Sequence, residues 1–184
     1  NMATNPVTGA IYVSNTDANN MDRFEGSGST SLRGELHRAQ ISLISGGVAQ
    51  PRRLNPHIVY TNLTPAQDVN DRSLAMPTDM AISSDGSTLY VAAFGSRKIG
   101  IVDTAALALA PGSPGAFAPD TADHVELSAG GPGGVALDEP RGRLYVLTRF
   151  DNAVAALDLA SGAEVARAPL PNPEPAAVVV GRPF

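Results

Sequence analysis

The densest group of hard oxygen donors in the chain is Asp17, Asn19 and Asp22, with Glu25 three residues further on. Carboxylate and amide oxygens at such short spacing are what a calcium ion needs. The set lacks the glycine and the distal bidentate glutamate of an EF-hand loop. Asn and Asp in a turn also hydrogen-bond their own backbone. Both readings stay open: a weak calcium site, or a self-bonded turn. The second concentration is cationic. Arg23, Arg33, Arg38, Arg52 and Arg53 place five of the thirteen basic residues within 23–53, opposed there by Glu25 and Glu35. Five minus two leaves this stretch about +3 on a chain whose net charge is −5. Such asymmetry suits a protein partner with an acidic surface, or arginines paired with acids of neighbouring elements. A nucleic-acid partner is not expected, because no series of aromatic residues interleaves with these arginines to stack on bases.

Catalytic constellations are sparse. His37, His57 and His124 are scattered, without the His-x-x-x-His spacing that brings two imidazoles to one metal. Gly-x-Ser-x-Gly is absent, so no nucleophile elbow is encoded. The absence of cysteine removes disulfides, thiol catalysis, Cys-ligated zinc and covalent c-type haem attachment from these residues. Gly130, Gly131, Gly133 and Gly134 precede a strand pattern rather than a helix, which is a poor phosphate cradle.

The elements that must position these groups are short and turn-bounded. Gly and Pro together make 18 + 15 = 33 of 184 residues, which favours many turns and few long helices. Charged residues are only 17%, against roughly 25% in an average soluble domain. Apolar residues reach 43%, enough for a sizeable core, yet no apolar run approaches the length of a membrane-spanning helix. No membrane span is expected.

Internal repetition organises the chain. PTDMAISSDGSTLYVAAFGSRKIGIVD (77–103) and PGGVALDEPRGRLYVLTRFDNAVAALD (132–158) align without a gap over 27 residues, at an offset of 55. Leu89-Tyr90-Val91 falls on Leu144-Tyr145-Val146, and Asp103 on Asp158. NPVTGAIYVSN opens the chain as a degenerate copy, with Tyr12-Val13 at the Tyr-Val position. A further copy begins at PEPAAVVVGRPF. Each copy reads as short antiparallel strands: 79–83, 88–93, 98–102 and 124–128 in one, then 134–138, 143–148, 153–158 and 163–170 in the next. Four short strands repeated every 40 to 55 residues or so match a β-propeller blade rather than a generic sandwich.

The same residues carry a family resemblance. LYVAAFGSRKIGIVD and LYVLTRFDNAVAALDLASGAEVARAPL resemble the bacterial YVTN-type propeller repeat, over roughly 1–15, 77–103 and 132–184. Ala92-Ala93 and Leu147-Thr148 depart from the residues that usually follow the pair, and Ser14-Asn15 is nearest to the pattern. RGELHRAQISLISGGVAQPRRLNPHI, LYVLTRFDNAVAALD and NPEPAAVVVGRPF look like large secreted bacterial proteins whose propeller leads into a c-type cytochrome segment. That resemblance implies an extracellular or periplasmic setting. It also implies haem c in a downstream segment and none in this chain.

The expectation is therefore an all-β chain of four-stranded antiparallel propeller blades forming an incomplete, open propeller. Its parts are an elaborated blade 1–70 with an inserted loop 15–34, a strand at 57–62 within it, blades 77–128 and 132–170, and the first strand of a further blade at 173–184. Its partners are other blades or domains of the same larger chain, with a protein partner at the basic insertion. The expected function is a non-catalytic binding or scaffold module. The alternative is a propeller hydrolase or lactonase with a metal in the channel, for which Asp79, Asn172 and Glu174 lie near suitable positions while Gly133 and Gly134 offer no ligand.

Overall fold

Apolar residues alternating along short runs, each closed by a turn, generate three four-stranded antiparallel sheets in a computed structural model that describes residues 1–19, 35–62, 64–171 and 175–181. Blade 1 is β1 (Met2–Thr4), β2 (Ile11–Ala18), β3 (His37–Ser45) and β4 (Val48–Arg53). Blade 2 is β5 (Pro77–Ile82), β6 (Thr88–Ala93), β7 (Lys98–Asp103) and β8 (His124–Glu126). Blade 3 is β9 (Pro132–Asp138), β10 (Arg143–Thr148), β11 (Ala153–Asp158) and β12 (Glu164–Pro169). Each sheet runs in sequence order, and β1, β5 and β9 lie side by side as the innermost strands.

The registers make the repeat physical. Tyr12 pairs with Ala3 and Leu43, Tyr90 with Ala81 and Ile101, and Tyr145 with Ala136 and Ala156. Backbone strain repeats as well. Arg97 and Asn152, 55 residues apart, both turn the chain at positive φ, 54° and 50°, between the second and third strands. Asp103 and Asp158 also do the same work. The first accepts from Ala106 N at 2.8 Å, and the second from Ser161 N at 3.0 Å.

Because strand side chains alternate, each blade has two faces. The Tyr12 face of blade 1 buries Ile41 and Leu43 against Leu89, Val91 and Val102 of blade 2. The opposite face of blade 2, with Tyr90, Ala92 and Ile99, buries Leu144, Val146 and Leu157 of blade 3. The core is thus two seams between blades. Fully burying one Leu or Ile side chain contributes about 1.5–3 kcal/mol, so each seam is a strong adhesive.

Three expectations are corrected. The strand expected at 57–62 is a turn-rich connection, and the fourth strand of blade 1 is β4. The inserted loop begins later than 15, because β2 runs on to Ala18 and pairs with β3 as far as His37. Ala176–Val180 forms one short helix, α3, instead of opening a further blade. Most of the insertion, 20–34, lies outside the described residues.

The connection from blade 1 to blade 2 is sealed by its own side chains. It contains a short helix, α1 (Gln67–Asp71). Asn55 donates to Leu74 O and accepts from Leu74 N, both at 2.8 Å. Leu54 and Leu74 are fully buried. Lys98, also buried, donates to the carbonyls of Asn70 and Asp71 at the end of α1. Among the described residues no helix is long and apolar enough to cross a membrane.

Candidate functional site

The innermost strands place Asn1, Asp79 and Gly134 at equivalent positions, two residues before Ala3, Ala81 and Ala136. Asp79 is the carboxylate of this row, and its oxygens are occupied. It accepts from Asn1 Nδ2 in blade 1, and from Val135 N in blade 3 at 2.9 Å. It also accepts from Met80 N at 2.9 Å. Thr78 beside it donates to Pro132 O at 2.9 Å, while Ser14 donates to Thr78 O at 3.1 Å. Anionic acceptors hydrogen-bonded this way are about twice as strong as neutral ones. The row ties three blades together. Asn172 and Glu174 lie outside the described residues.

The expected calcium ligands are placed as follows. Asp17, at the end of β2, accepts from Arg53 of β4 at 2.5 Å. Asn19 donates to Glu35 O at 2.7 Å, closing the base of the β2–β3 hairpin. Asp22 lies outside the described residues. A cation at this hairpin would compete with Arg53 for Asp17. Among the described residues no three His, Asp or Glu side chains gather in metal-binding geometry.

The arginines of the basic stretch are engaged in different ways. Arg38 pairs with Glu35 and lies 5.7 Å from the ring centroid of Tyr60, a cation–π distance. Arg52 is buried and reaches across the seam to Leu107 O at 2.7 Å and Ala108 O at 3.1 Å. It is a strut between blades rather than a docking group, a role that charge patterning could not reveal. Arg38, Arg53, Asn55 and Tyr60 line an open hollow of about 250 Å³ on the rim. Arg23 and Arg33 lie outside the described residues.

The fold brings one serine to a histidine. Ser73 Oγ lies 3.3 Å from His57 Nε2, but Val69 O is 3.0 Å from the same nitrogen and 2.6 Å from Ser73 Oγ. A carbonyl can only accept, so both groups donate to it. His57 is then protonated on Nε2 and cannot take the serine proton there. The pair straps the inter-blade connection instead of activating a nucleophile.

His124 is half-buried beside Lys98. Its pKa is lowered, first by burial and then by the Lys98 ammonium; a hydrogen bond at Asp71 and the carboxylates of Asp120 and Asp123 oppose this. A base whose folded pKa lies below its unfolded one takes up protons later in the folded state. Stability is then lost as pH falls through the ordinary value of 6.5 toward the lowered one. Urea midpoints are expected to decline from pH 7 to pH 5, and His124→Leu to flatten that slope. An unchanged slope in the variant would assign the effect elsewhere.

A cleft of about 490 Å³ opens between blades 1 and 2. Its walls are Val7, Ala10, Leu43 and Ala108, with Asn5, Tyr12 and Thr104 as polar groups. Asp85 sits at its mouth, its pKa held down at about 2 by the Ser83 hydroxyl and by the amide and hydroxyl of Ser87. At the floor, Asn5 Nδ2 donates to Gly86 O at 2.9 Å, and Thr104 Oγ1 to the same oxygen at 2.7 Å. Sequence reading missed this site. The one signal for it was the Asn-Pro turn of NPVTG.

No family model matches the sequence, and no curated protein matches it. Solved structures do. Hydrazine synthase of Kuenenia stuttgartiensis aligns with TM-score 0.59 and 18% identity, over 86% of this chain and 44% of that one. A nidogen/laminin complex aligns with TM-score 0.54 and 18% identity, over 92% and 46%. The periplasmic gluconolactonase of Pseudomonas aeruginosa aligns with TM-score 0.52 and 13% identity, over 94% and 42%. At such identities the likeness shows the fold alone. The chain spans less than half the length of these structures, and its described residues form three blades of an incomplete β-propeller.

Proposed function

We propose that this chain is a non-catalytic propeller arc, a binding or scaffold module that works as part of a larger propeller. The observation that carries the reading is the engagement of Asp79. The carboxylate best placed to hold a channel metal is instead bonded to blades 1 and 3. A hydrolase or lactonase with a channel metal would take Asp79 away from these inter-blade bonds and would need a further ligand at the Gly134 position, which carries no side chain. The rim hollow at Arg38 and Arg53 is offered for a protein partner with an acidic surface. The Tyr-Val copies favour the YVTN-type repeat and, with it, an extracellular or periplasmic protein. Haem c, where such a protein carries it, would be attached to cysteines outside these 184 residues, which contain none.

A panel of lactones and esters assayed with calcium, zinc or manganese tests this reading. Wild-type protein is expected to give no metal-dependent turnover. Asp79→Ala is expected to cost about 1–3 kcal/mol of stability through the lost inter-blade bonds. Metal-dependent hydrolysis that Asp79→Asn abolishes would overturn the reading in favour of the enzyme.

A further inference from the structure

The two seams between blades differ at one place. In the 2–3 seam, Tyr90, Ile101 and Leu159 close with Val125 and Leu144 around a hollow of only about 10 Å³. Tyr12, Leu43 and Thr104 hold the same repeat positions in the 1–2 seam, where the cleft is about 490 Å³. The floor of that cleft leaves one buried donor without an acceptor. Val7 N and Thr8 N donate to one end of the Asn5 amide and Gly86 O accepts from the other, which fixes the places of Oδ1 and Nδ2. Asn5 Nδ2 also reaches Tyr12 Oη at 3.4 Å, so the phenol oxygen accepts there. Tyr12 is 2% exposed, and among the described residues its own proton finds no acceptor. An unmade hydrogen bond on a buried hydroxyl is costly. At the mouth, Asp85 Oδ1 accepts from Ser83 Oγ, Ser87 N and Ser87 Oγ, while Oδ2 carries no bond among the described residues. That carboxylate is ionised across the physiological pH range. Val7, Ala10 and Leu43 make the wall apolar.

We propose that this cleft binds a short alkylammonium carrying an oxygen acceptor, a ligand of the amino-alcohol class. The oxygen takes the Tyr12 proton at the floor, the methylene stem covers the apolar wall, and the ammonium pairs with Asp85 Oδ2 at the mouth. Each part of the ligand answers a group that the two blades leave unserved. An anion would be repelled by Asp85, and a plain hydrocarbon would leave the Tyr12 proton unbonded. Leu159 at the position of Thr104, with Val125 beside it, denies the 2–3 seam an equivalent site. Asp85 follows the end of β5 opposite to Asp79, and neither Asp79 nor Arg53 lines the cleft. The inference therefore goes beyond the scaffold reading and is independent of the channel and of the rim hollow.

Titration of the isotope-labelled 184-residue chain with linear amino alcohols, from 3-aminopropanol to 6-aminohexanol, tests it through backbone amide shifts. Saturable shifts are expected at Val7, Gly86 and Thr104, with a dissociation constant in roughly the millimolar range for so small a ligand. The alkylamine of the same length, which lacks the bond to Tyr12, is expected to bind about three- to tenfold more weakly. The diol of the same length, which lacks the ion pair, is expected to bind about two- to fivefold more weakly. Tyr12→Phe should erase the difference between amino alcohol and alkylamine, and Asp85→Asn the difference between amino alcohol and diol. Both replacements are nearly isosteric, and an amide oxygen at 85 still accepts from Ser83 and Ser87, so shifts away from the cleft should stay in place. No saturable shift at the cleft for any chain length would overturn the proposal. So would equal binding of the three probe types, or a difference that survives the variant meant to erase it. None of these outcomes bears on the role of Asp79.

Discussion

Replacing Gly86 by alanine is expected to destabilise the protein by about 2–4 kcal/mol, far more than a solvent-exposed turn glycine. Gly86 has φ +73°, where a Cβ costs about 1–2 kcal/mol. Here the Cβ would also lie 2.3 Å from Asn5 Oδ1. Asn5 is 2% exposed, and that oxygen accepts from Val7 N at 2.9 Å and Thr8 N at 3.1 Å. Pushing the amide aside breaks these bonds and the buried one from Asn5 Nδ2 to Gly86 O, at about 1–3 kcal/mol, and opens the seam between blades 1 and 2. Gly142 provides the control. Its φ is +61°, yet nothing lies within 4 Å of its would-be Cβ, so Gly142→Ala should cost only the backbone share. The double variant Asn5→Ala/Gly86→Ala should lose less than the sum of the singles, because the shortened side chain makes room. Equal urea midpoints for Gly86→Ala and Gly142→Ala would show that the latch does not hold the seam.

The second large effect is expected at Leu74, which is fully buried against Gly100. A Cβ at 100 would meet Leu74 Cδ1 at 2.6 Å, so the leucine fills a notch that only glycine leaves open. Leu74→Ala should cost about 2–5 kcal/mol through the cavity it creates. Gly100→Ala should cost about 1–3 kcal/mol by overpacking. Combined, the two changes should be less harmful than their sum, since the added methyl occupies part of the vacated space. Strict additivity would place Leu74 and Gly100 out of contact.

What the sequence revealed and concealed follows from where each fold determinant resides. Blades 2 and 3 were legible because a 27-residue alignment carries both the alternation and the punctuation. β4 was hidden by Pro51, Arg52 and Arg53, which do not look like a strand. As the outermost strand it tolerates proline, and its arginines serve the seam and Asp17. HIVYTN looked like a strand, but in its place the chain follows a turn-rich connection. AAVVV has the β-branched residues of a strand, yet no strand pairs with it and it coils into α3. Side-chain duties were the least legible. Asp79, Arg52 and Asn5 act across 55 or more residues of sequence, on partners that only the stacking of blades brings near.

The stacking order of the blades, with Tyr12, Tyr90 and Tyr145 at one repeated position, is the centre of the account. Aromatic-to-methyl NOEs in the isotope-labelled chain test it most directly. Tyr90 is expected to show contacts to Leu144 and Leu157, with which it lines one small inter-blade hollow, and Phe94 to Phe150, whose ring centroid is 5.2 Å away. Tyr145 is expected to show none to methyls of Ile11 or Val13 of its own chain in an isotope-filtered experiment. Missing Tyr90 to Leu144 contacts, or intramolecular contacts from Tyr145 to Val13, would contradict the incomplete three-blade propeller.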